Sequence, residues 1–253
     1  MKLKLKGKTA FVTGGSRGIG TAICRDLASE EVNVGVNYNS SASEAEALAA
    51  ELQKEFGVKA VAIQGNLDKE EDISRMLETC EAEIGNIDIL VNNAAYCPKG
   101  PISSYTKEEW EFTFSVNVTG CFIACREMIN RWLEREVAGK IVNLASQAAF
   151  LGSTSGHLPY DSSKGAVISM TRAIAREVAP KGINVNAVAP GMVKTEMVQK
   201  LLDTKLDFYL SRIPLNRIAE PEEIAAIVTF LASEASRCMT GTTLDATGGL
   251  MMR

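Results

Sequence analysis

Short apolar runs alternate with longer amphipathic stretches along the whole chain. Seven of the short runs are rich in valine, isoleucine and alanine and are short enough to be strands. They cover residues 8–15, 32–38, 59–66, 87–95, 139–147, 183–191 and 242–249. Between them, the spacing of apolar residues predicts helices over residues 18–29, 41–56, 69–84, 106–136, 160–179 and 221–234.

The alternation of strands and helices predicts an α/β fold. Each strand–helix–strand unit forms a right-handed crossover, and repeated crossovers build a parallel sheet covered by helices on both faces. No linker or repeat interrupts the pattern, so we expect a single domain over residues 1–253. The longest irregular segment, residues 192–217, is predicted to form a substrate loop that carries short helices of its own.

Composition excludes several classes of protein. The chain has 253 residues, of which 46% are apolar, and no run reaches the roughly 18 apolar residues of a membrane span. The lysine-rich N-terminus lacks the apolar core of a signal peptide. A net charge of −4 argues against nucleic acid as a partner. The six scattered cysteines form no CxxC pair, so we expect reduced thiols in the cytoplasm.

The chain contains a single histidine, His157. A metal site built from several histidines is therefore excluded, and we expect no metal. If this chain is an enzyme, a residue other than histidine is expected to move the proton.

A glycine-rich turn, "TGGSRGIG", follows the first strand and opens a helix at residues 13–20. Gly14 permits a tight turn, while Gly18 and Gly20 allow the backbone to approach a pyrophosphate at the helix N-terminus. The turn predicts nucleotide binding, with Ser16, Arg17 and Ile19 as further members of the site.

The end of the second strand distinguishes NAD from NADP, because NAD enzymes usually place an acid there for the ribose hydroxyls. Asn37 occupies the expected position, and the next acid in the sequence is Glu44. With Arg17 nearby, a 2′-phosphate would gain a charge-assisted partner. The sequence favours NADP(H), with NAD(H) as the alternative, and places Tyr38, Asn39 and Ser40 beside the cofactor.

Tyr160 and Lys164 lie four residues apart at the start of a predicted helix. That spacing puts them about 6 Å apart along the helix axis. A free phenol has a pKa of about 10, and a cation at this range can lower it by roughly 1–3 units, towards the pH at which acid–base catalysis works best. The alternative is an ordinary pair on a helix surface.

Six motifs in order along the chain resemble those of the short-chain dehydrogenase/reductase family. They are "TGGSRGIG", "NNAA" at residues 92–95, Asn117 in "SVNVTG", Ser146 in "NLASQ", "YDSSK" at residues 160–164 and "APGMVKT" at residues 189–195. The resemblance is greatest to the bacterial 3-oxoacyl-carrier-protein reductase and the sugar- or polyol-dehydrogenase branches.

The resemblance implies a Rossmann-type, doubly wound sheet of seven parallel strands. It implies Tyr160 as general acid/base, Lys164 as its activator, Ser146 as a hydrogen-bond donor to the substrate oxygen, and Asn117 as the holder of a relay water. It also implies cofactor contacts by Asn66, Leu67, Asn93, Ala94 and Ala95 on the adenosine side, and by Pro190, Gly191, Val193 and Thr195 on the nicotinamide side.

Two positions depart from the family pattern on the cofactor side. Ala95 stands where the family usually has glycine, and Asn66 stands where aspartate is usual. Substrate contacts are predicted from Gln147, His157, Met192 and Met197. The family pairs its long helices between subunits, so helices 106–136 and 160–179 predict a homotetramer.

Three functions remain open from the sequence. The first is an NADP(H)-dependent reductase of 3-oxoacyl thioesters, with an acyl-carrier protein as partner. The second is a sugar, polyol or hydroxysteroid dehydrogenase, which transfers hydride between the cofactor and a secondary alcohol. The third is a non-catalytic NADP-sensing module, against which the presence of both Tyr160 and Lys164 argues. A carrier protein would require a basic surface, for which the candidates are Arg126, Arg131, Arg135, Arg172, Arg176 and Lys181.

Overall fold

The computed structural model describes residues 2–153 and 156–252, and within 196–210 it leaves the side chains of residue 197 and residues 199–202 undescribed. The strands are β1 (Thr9–Val12), β2 (Asn33–Tyr38), β3 (Ala60–Gln64), β4 (Ile89–Asn92), β5 (Gly139–Leu144), β6 (Ile183–Pro190) and β7 (Thr243–Ala246). The α-helices are α1 (Gly18–Ser29), α2 (Ala42–Phe56), α3 (Glu70–Ile84), α4 (Lys107–Phe114), α5 (Gly120–Glu134), α6 (Ala148–Leu151), α7 (Leu158–Val178), α8 (Glu196–Leu210) and α9 (Pro221–Ala232).

The seven strands form one parallel sheet in the order β3-β2-β1-β4-β5-β6-β7. The predicted doubly wound sheet is therefore confirmed. The chain builds outwards from β1 in one direction through β3, and then in the other direction from β4. In sheets of this kind a crevice opens beyond the carboxyl ends of the strands at the point where the order reverses. Here that point lies between β1 and β4.

The core consists of two main layers, one on each face of the sheet. Successive side chains of a strand point to opposite faces. In β1, Val12 packs with α1, α2 and α9, whereas Phe11 packs with α3 and α5 on the other face. Both side chains are buried. The apolar character of both faces explains why these strands read as continuous apolar runs.

The long helix predicted over residues 106–136 is interrupted. Helix α4 begins with a capping box between Thr106 and Glu109 and ends at Phe114. A π-helix, Ser115–Thr119, then joins it to α5 without a break in the helical backbone. The apolar pattern continues through this wider turn, so the spacing of apolar residues does not indicate it. Short π-helices are frequent at functional sites, and Asn117 lies inside this one.

The segment predicted as an irregular loop, residues 192–217, is mostly helical. Its beginning is fixed to the body of the protein, because Val193 pairs with Ala219 in an isolated bridge. Helix α8 follows, with non-helical backbone angles at Lys205.

None of the helices in the described ranges is long and apolar enough to cross a membrane. All six cysteines are free thiols, and Cys24, Cys80, Cys121 and Cys125 are buried. Burial raises the pKa values of the Cys24 and Cys80 thiols well above that of an ordinary cysteine. These two thiols pack in the core as small apolar groups.

Candidate active site

The glycine turn after β1 packs tightly against the turn after β4. A Cβ atom at Gly20 would lie 2.1 Å from the carbonyl oxygen of Gly14, and one at Gly14 would lie 2.9 Å from the Cα of Ala94. Gly14 and Gly18 both have positive φ angles, of 61° and 54°. No side chain caps α1, so its first N–H groups are free to meet an anion at this turn.

Hydrogen bonds join the same two turns. The Thr13 hydroxyl accepts from the backbone N–H groups of Asn93 and Ala94, at 3.0 and 3.1 Å. The Asn93 amide donates to the carbonyl oxygens of Thr13 and Gly14, at 3.0 and 2.9 Å. Asn93 therefore shapes the phosphate turn through its side chain. Ala95 is exposed and has no positive φ angle, so a glycine is not required there.

The Asn37 side chain does not take the predicted place beside the cofactor ribose. It is buried, its oxygen accepts from the Gly14 N–H at 3.0 Å, and its amide donates to the carbonyls of Gly65 and Ile63, at 3.1 and 3.3 Å. Alternation along β2 is the reason, because the Asn37 side chain points into the protein. Its role is to hold the glycine turn against the end of β3.

The other residues predicted on the adenosine side surround this turn. Arg17, Asn39 and Ser40 are exposed, while Tyr38 is half-buried against the core. Ser16 is half-buried, and the half-buried Ile19 packs on the same core layer as Tyr38. The Asn66 side-chain oxygen accepts from the Asp68 N–H at 3.0 Å, which forms a local turn, and Leu67 is buried.

Ser146 and Tyr160 meet at the carboxyl end of β5. The Ser146 hydroxyl oxygen accepts from the Ala148 N–H at 3.1 Å, which leaves its own hydrogen free to donate. Its interaction with Tyr160 lowers the pKa of the phenol. Burial has the larger and opposite effect, so the pKa of Tyr160 lies well above its ordinary value. The predicted lowering by Lys164 is therefore not found.

Lys164 is buried one turn along α7 from Tyr160. Its Nζ atom donates to the Leu144 carbonyl at 2.5 Å and lies 5.5 Å from the centre of the Tyr160 ring. Burial lowers the pKa of Lys164 to about 8, since removal from water disfavours the charged ammonium.

Asn117 is buried next to this pair. Its amide donates to the Tyr96 carbonyl and the Ser163 hydroxyl, at 2.8 and 2.9 Å, and its oxygen accepts from the Tyr96 N–H at 2.7 Å. The side chain thus joins α7 to the segment after β4. Asn117 and Lys164 both line a cavity of about 10 Å³, roughly the size that one water molecule needs.

The segment after β6 covers the glycine turn from the other side. A Cβ atom at Gly18 would lie 3.3 Å from Thr195 Cγ2, so Thr195 faces the turn. Pro190 ends β6, and the Gly191 N–H donates to the Ala246 carbonyl at 2.8 Å. The Val193 side chain instead packs in the core, which leaves only its backbone for a cofactor.

The predicted substrate residues lie at the open side of the site. Met192 and Gln147 are half-buried, and the Gln147 side-chain oxygen has no hydrogen-bond partner in the part of the chain that the structure describes. His157 Nδ1 donates to the Pro98 carbonyl at 2.8 Å and lies 3.6 Å from Cys97 Sγ, so His157 tethers the loop after β4. The Met197 side chain lies outside the described part of the structure.

Sequence reasoning missed two residues beside Tyr160. Asp161 accepts from the Ser153 N–H at 2.7 Å and raises the pKa of both Tyr160 and Cys97. The Cys97 thiol, whose pKa burial raises to about 11, acts on Tyr160 in the same sense. The position of Asp161 directly after Tyr160 was the available signal, whereas nothing in the sequence places Cys97 there.

Comparison with known proteins identifies the family of this chain. A family model described as Enoyl-(Acyl carrier protein) reductase matches residues 14–251. The chain is 39% identical to the 3-oxoacyl-(acyl-carrier-protein) reductase FabG of Staphylococcus epidermidis over 97% of this chain and 99% of that protein.

Solved structures give the same result. A short-chain type dehydrogenase/reductase from Mycobacterium marinum superimposes with a TM-score of 0.93 and 31% identity over 99% of this chain and 98% of that one. A short-chain dehydrogenase from Burkholderia cenocepacia in complex with NADP gives a TM-score of 0.90 and 33% identity over 98% and 99%. The chain belongs to the short-chain dehydrogenase/reductase family. It is therefore an NAD(P)-dependent oxidoreductase.

The buried role of Asn37 leads to a prediction about stability. Asn37→Asp would set a carboxylate against the carbonyl oxygens of residues 63 and 65. We expect it to lower the free energy of unfolding by about 1–3 kcal/mol, measured by urea denaturation, because the buried carbonyls lose their donor. We expect no gain in NAD preference, measured as the ratio of kcat/KM for NADPH and NADH.

The matched control is Asn39→Asp, which makes the same change of charge two residues further on at an exposed position. It should leave the free energy of unfolding within about 0.5 kcal/mol of the wild type. An Asn37→Asp protein that is as stable as the wild type and prefers NADH would contradict this assignment.

Proposed function

We propose that the protein is an NADP(H)-dependent reductase that converts the ketone of a 3-oxoacyl thioester into a secondary alcohol. One observation carries the proposal: Ser146, Tyr160 and Lys164 are assembled beside the glycine turn, at the carboxyl edge of the sheet. Relatives named as 3-oxoacyl-(acyl-carrier-protein) reductases match nearly the full chain and suggest the substrate.

The residues around the glycine turn fit a dinucleotide. Gly14, Gly18 and Gly20 leave the backbone bare beneath the uncapped start of α1, and Thr195 faces the same space. When bound, a nicotinamide cofactor supplies the hydride for reduction, or accepts it in the reverse reaction. Arg17 is exposed beside this turn, and residues 37–43 contain no carboxylate. A 2′-phosphate is therefore better accommodated than the ribose hydroxyls of NAD.

The protein supplies the proton and the hydrogen bonds to the substrate oxygen. The Tyr160 phenol, whose pKa burial raises, carries its proton at neutral pH and is the donor to the substrate oxygen. The Ser146 hydroxyl, oriented by the Ala148 N–H, donates to the oxygen on which negative charge develops. The Lys164 ammonium favours the phenolate that remains after proton transfer.

An acyl-carrier protein as partner would require free basic side chains near the site. The structure removes three of the six candidates, since Arg126 pairs with Glu70 and Glu127, while Arg131 and Arg135 pair with Glu81. Arg172, Arg176 and Lys181 are exposed. They lie at least 12 residues beyond Tyr160, along the second half of α7 and after it, so they form no basic surface beside the site. The carrier protein is therefore proposed from the names of the relatives.

A second candidate function has one observation in its favour. Three buried acceptors have no hydrogen-bond partner among residues 2–153 and 156–252, namely Gln147 Oε1, Ser153 Oγ and Asp161 Oδ1. A hydroxyl-bearing substrate would satisfy them, whereas an alkyl chain would not. They favour a sugar, polyol or other hydroxylated alcohol as an alternative substrate.

We also propose that the protein is a homotetramer in a reducing compartment such as the cytoplasm. Trp110, Phe112 and Phe122 expose apolar surface on α4 and α5. The buried free thiols are consistent with such a compartment.

A spectrophotometric assay of nicotinamide absorbance tests the function. We expect turnover of an acetoacetyl thioester with NADPH, at a kcat/KM at least about tenfold above that with NADH, because Arg17 would bind the 2′-phosphate. Polyols and sugars with NADP, and cyclic ketones with NADPH, form the rest of the panel. No turnover of the thioester, together with activity on a polyol, would favour the polyol or sugar dehydrogenase over the thioester reductase.

Tyr160→Phe tests the proton donor. Loss of the phenol should reduce kcat by about 10²–10⁴-fold, because general acid catalysis contributes that much, while NADPH binding measured by calorimetry is retained. Tyr105→Phe is the control, since the Tyr105 hydroxyl only donates to the carbonyls of Pro98 and Gly156. Equal losses of kcat in both variants would count against Tyr160 as the acid.

Light scattering tests the assembly. We expect a mass about four times the 27.2 kDa of one chain. Phe122→Asp should reduce that mass because it charges the apolar face of α5, while Phe208→Asp on α8 should not. A monomeric wild-type protein would refute the tetramer.

A further inference from the structure

A chain of buried hydrogen bonds has a fixed direction in the core behind the site. The Thr171 hydroxyl donates to the Val167 carbonyl at 2.8 Å, so its oxygen is free to accept from the Asn143 amide at 2.9 Å. The Asn143 oxygen then accepts from the Asn92 amide, also at 2.9 Å. Each donor therefore determines the orientation of the next group.

The direction of these hydrogen bonds leaves one acceptor unpaired at the end of the series. The Asn92 amide nitrogen is used by Asn143 and lies 3.3 Å from Cys125 Sγ, so the Asn92 carbonyl oxygen is turned the other way. That oxygen is buried and has no partner among the described residues. A buried acceptor without a donor is costly, and most such groups in proteins are satisfied by an ordered water.

Asn92 lines the cavity of about 10 Å³ that Lys164 and Asn117 also line. Its remaining walls come from Thr13, Leu67, Ala94, Cys121, Leu144 and Val167. The volume is close to what a single water molecule needs. The cavity thus brings the unpaired oxygen of Asn92 and the side chain of Lys164 to one small space.

The Lys164 ammonium has donors to spare in this space. It carries three N–H groups, and within the described ranges only the Leu144 carbonyl accepts from it. Lys164 is almost fully buried, so bulk water does not supply the missing acceptors. Lys164 therefore has unused donors and Asn92 has an unused acceptor, and both residues line the same cavity.

We propose that Asn92 positions Lys164 through one water molecule, which accepts a hydrogen bond from the ammonium and donates one to the Asn92 oxygen. Asn92 is thereby a positioning residue that keeps the buried ammonium charged and directed towards Tyr160. This role rests on the proposed function, in which Lys164 assists proton transfer, and adds a residue on the inner side of the site. Thr171 and Asn143 anchor Asn92 from behind.

Several other groups near Lys164 also affect its pKa. The Cys121 thiol on α5 and the Cys97 thiol after β4 both raise the pKa of Lys164, and Tyr160 lies beside it on α7. Asp161 acts on Cys97 and Tyr160. Burial outweighs these effects and lowers the pKa of Lys164 to about 8.

Two substitutions at residue 92 should shift the protonation of Lys164 in opposite directions. Asn92→Asp would offer the water a carboxylate and should raise the pKa of Lys164 by about 1 unit, a tenfold change in proton affinity. Asn92→Leu removes the acceptor and should lower it by at least about 0.5 units. The measurement is an NMR titration of the cofactor-free protein labelled at lysine Cε, with Lys164→Arg identifying the signal.

The alkaline limb of the pH profile of kcat/KM for reduction should move with the same signs, upwards for Asn92→Asp and downwards for Asn92→Leu. Asn186→Leu is the matched control, because it makes the same change at a buried asparagine of β6 that neither lines the cavity nor belongs to this chain of hydrogen bonds. It should lower stability while shifting the pKa of Lys164 by less than about 0.3 units.

The outcomes separate this inference from the proposed function. Shifts of the expected sign at residue 92 with an unshifted Asn186→Leu support the role of Asn92, even if one of its two variants fails to fold. A shift below about 0.5 units in Asn92→Asp, or an equal shift in Asn186→Leu, overturns it. If the wild type does not reduce the thioester, the proposed function fails, while the titration still decides the role of Asn92.

Discussion

The close contact between the turn after β1 and the turn after β4 is the constraint on which the site depends. Thr13 and Asn93 hold these turns together with four hydrogen bonds, and Gly14 and Gly20 make the approach sterically possible. The crevice for a dinucleotide opens where the strand order reverses, so the contact shapes the floor of that crevice. Side chains on β5 and α7 can then be directed at a cofactor whose position is already determined by backbone.

Burial is the second determinant of the chemistry, and it acts on two groups in opposite senses. It disfavours charge, so it raises the pKa of Tyr160 and lowers the pKa of Lys164. A phenol that keeps its proton suits the direction in which a ketone is reduced. Lys164 cannot be treated as a simple fixed cation, because its charge depends on the few polar groups that reach it in the core.

Much of the fold could be predicted from the sequence because periodicity and glycine position report directly on backbone structure. All seven strands and the parallel sheet followed from alternating patterns, and the grouping of Ser146, Tyr160 and Lys164 followed from motifs at strand and helix ends. The bounds were less accurate. The chain turns after Val12, although apolar and small residues continue as far as Gly15.

The errors arose where a side chain's direction matters more than its place in the chain. Asn37 and Tyr38 are adjacent, yet only the Asn37 side chain points inwards to Gly14 and Gly65. Sequence patterns place a strand to within about one residue, and an error of one residue exchanges the inward and outward side chains. Val193 sits in a predicted cofactor loop but packs in the core. The pKa of Tyr160 depends on burial and on Asp161, neither of which is visible from the spacing of Tyr160 and Lys164.

The π-helix at Ser115–Thr119 also constrains how this chain can tolerate insertions and deletions. One residue of an α-helix accounts for about 100° of rotation. A deletion inside α5 would therefore turn every residue after it relative to the core, including the thiol of Cys125. A π-turn instead holds one residue more than an α-turn, so deleting a single residue between Phe114 and Gly120 would restore regular α geometry and leave α4 and α5 in nearly the same relative orientation. The extra residue is therefore one that the helix can hold without disturbing its packing on either side, and Asn117 lies within that wider turn.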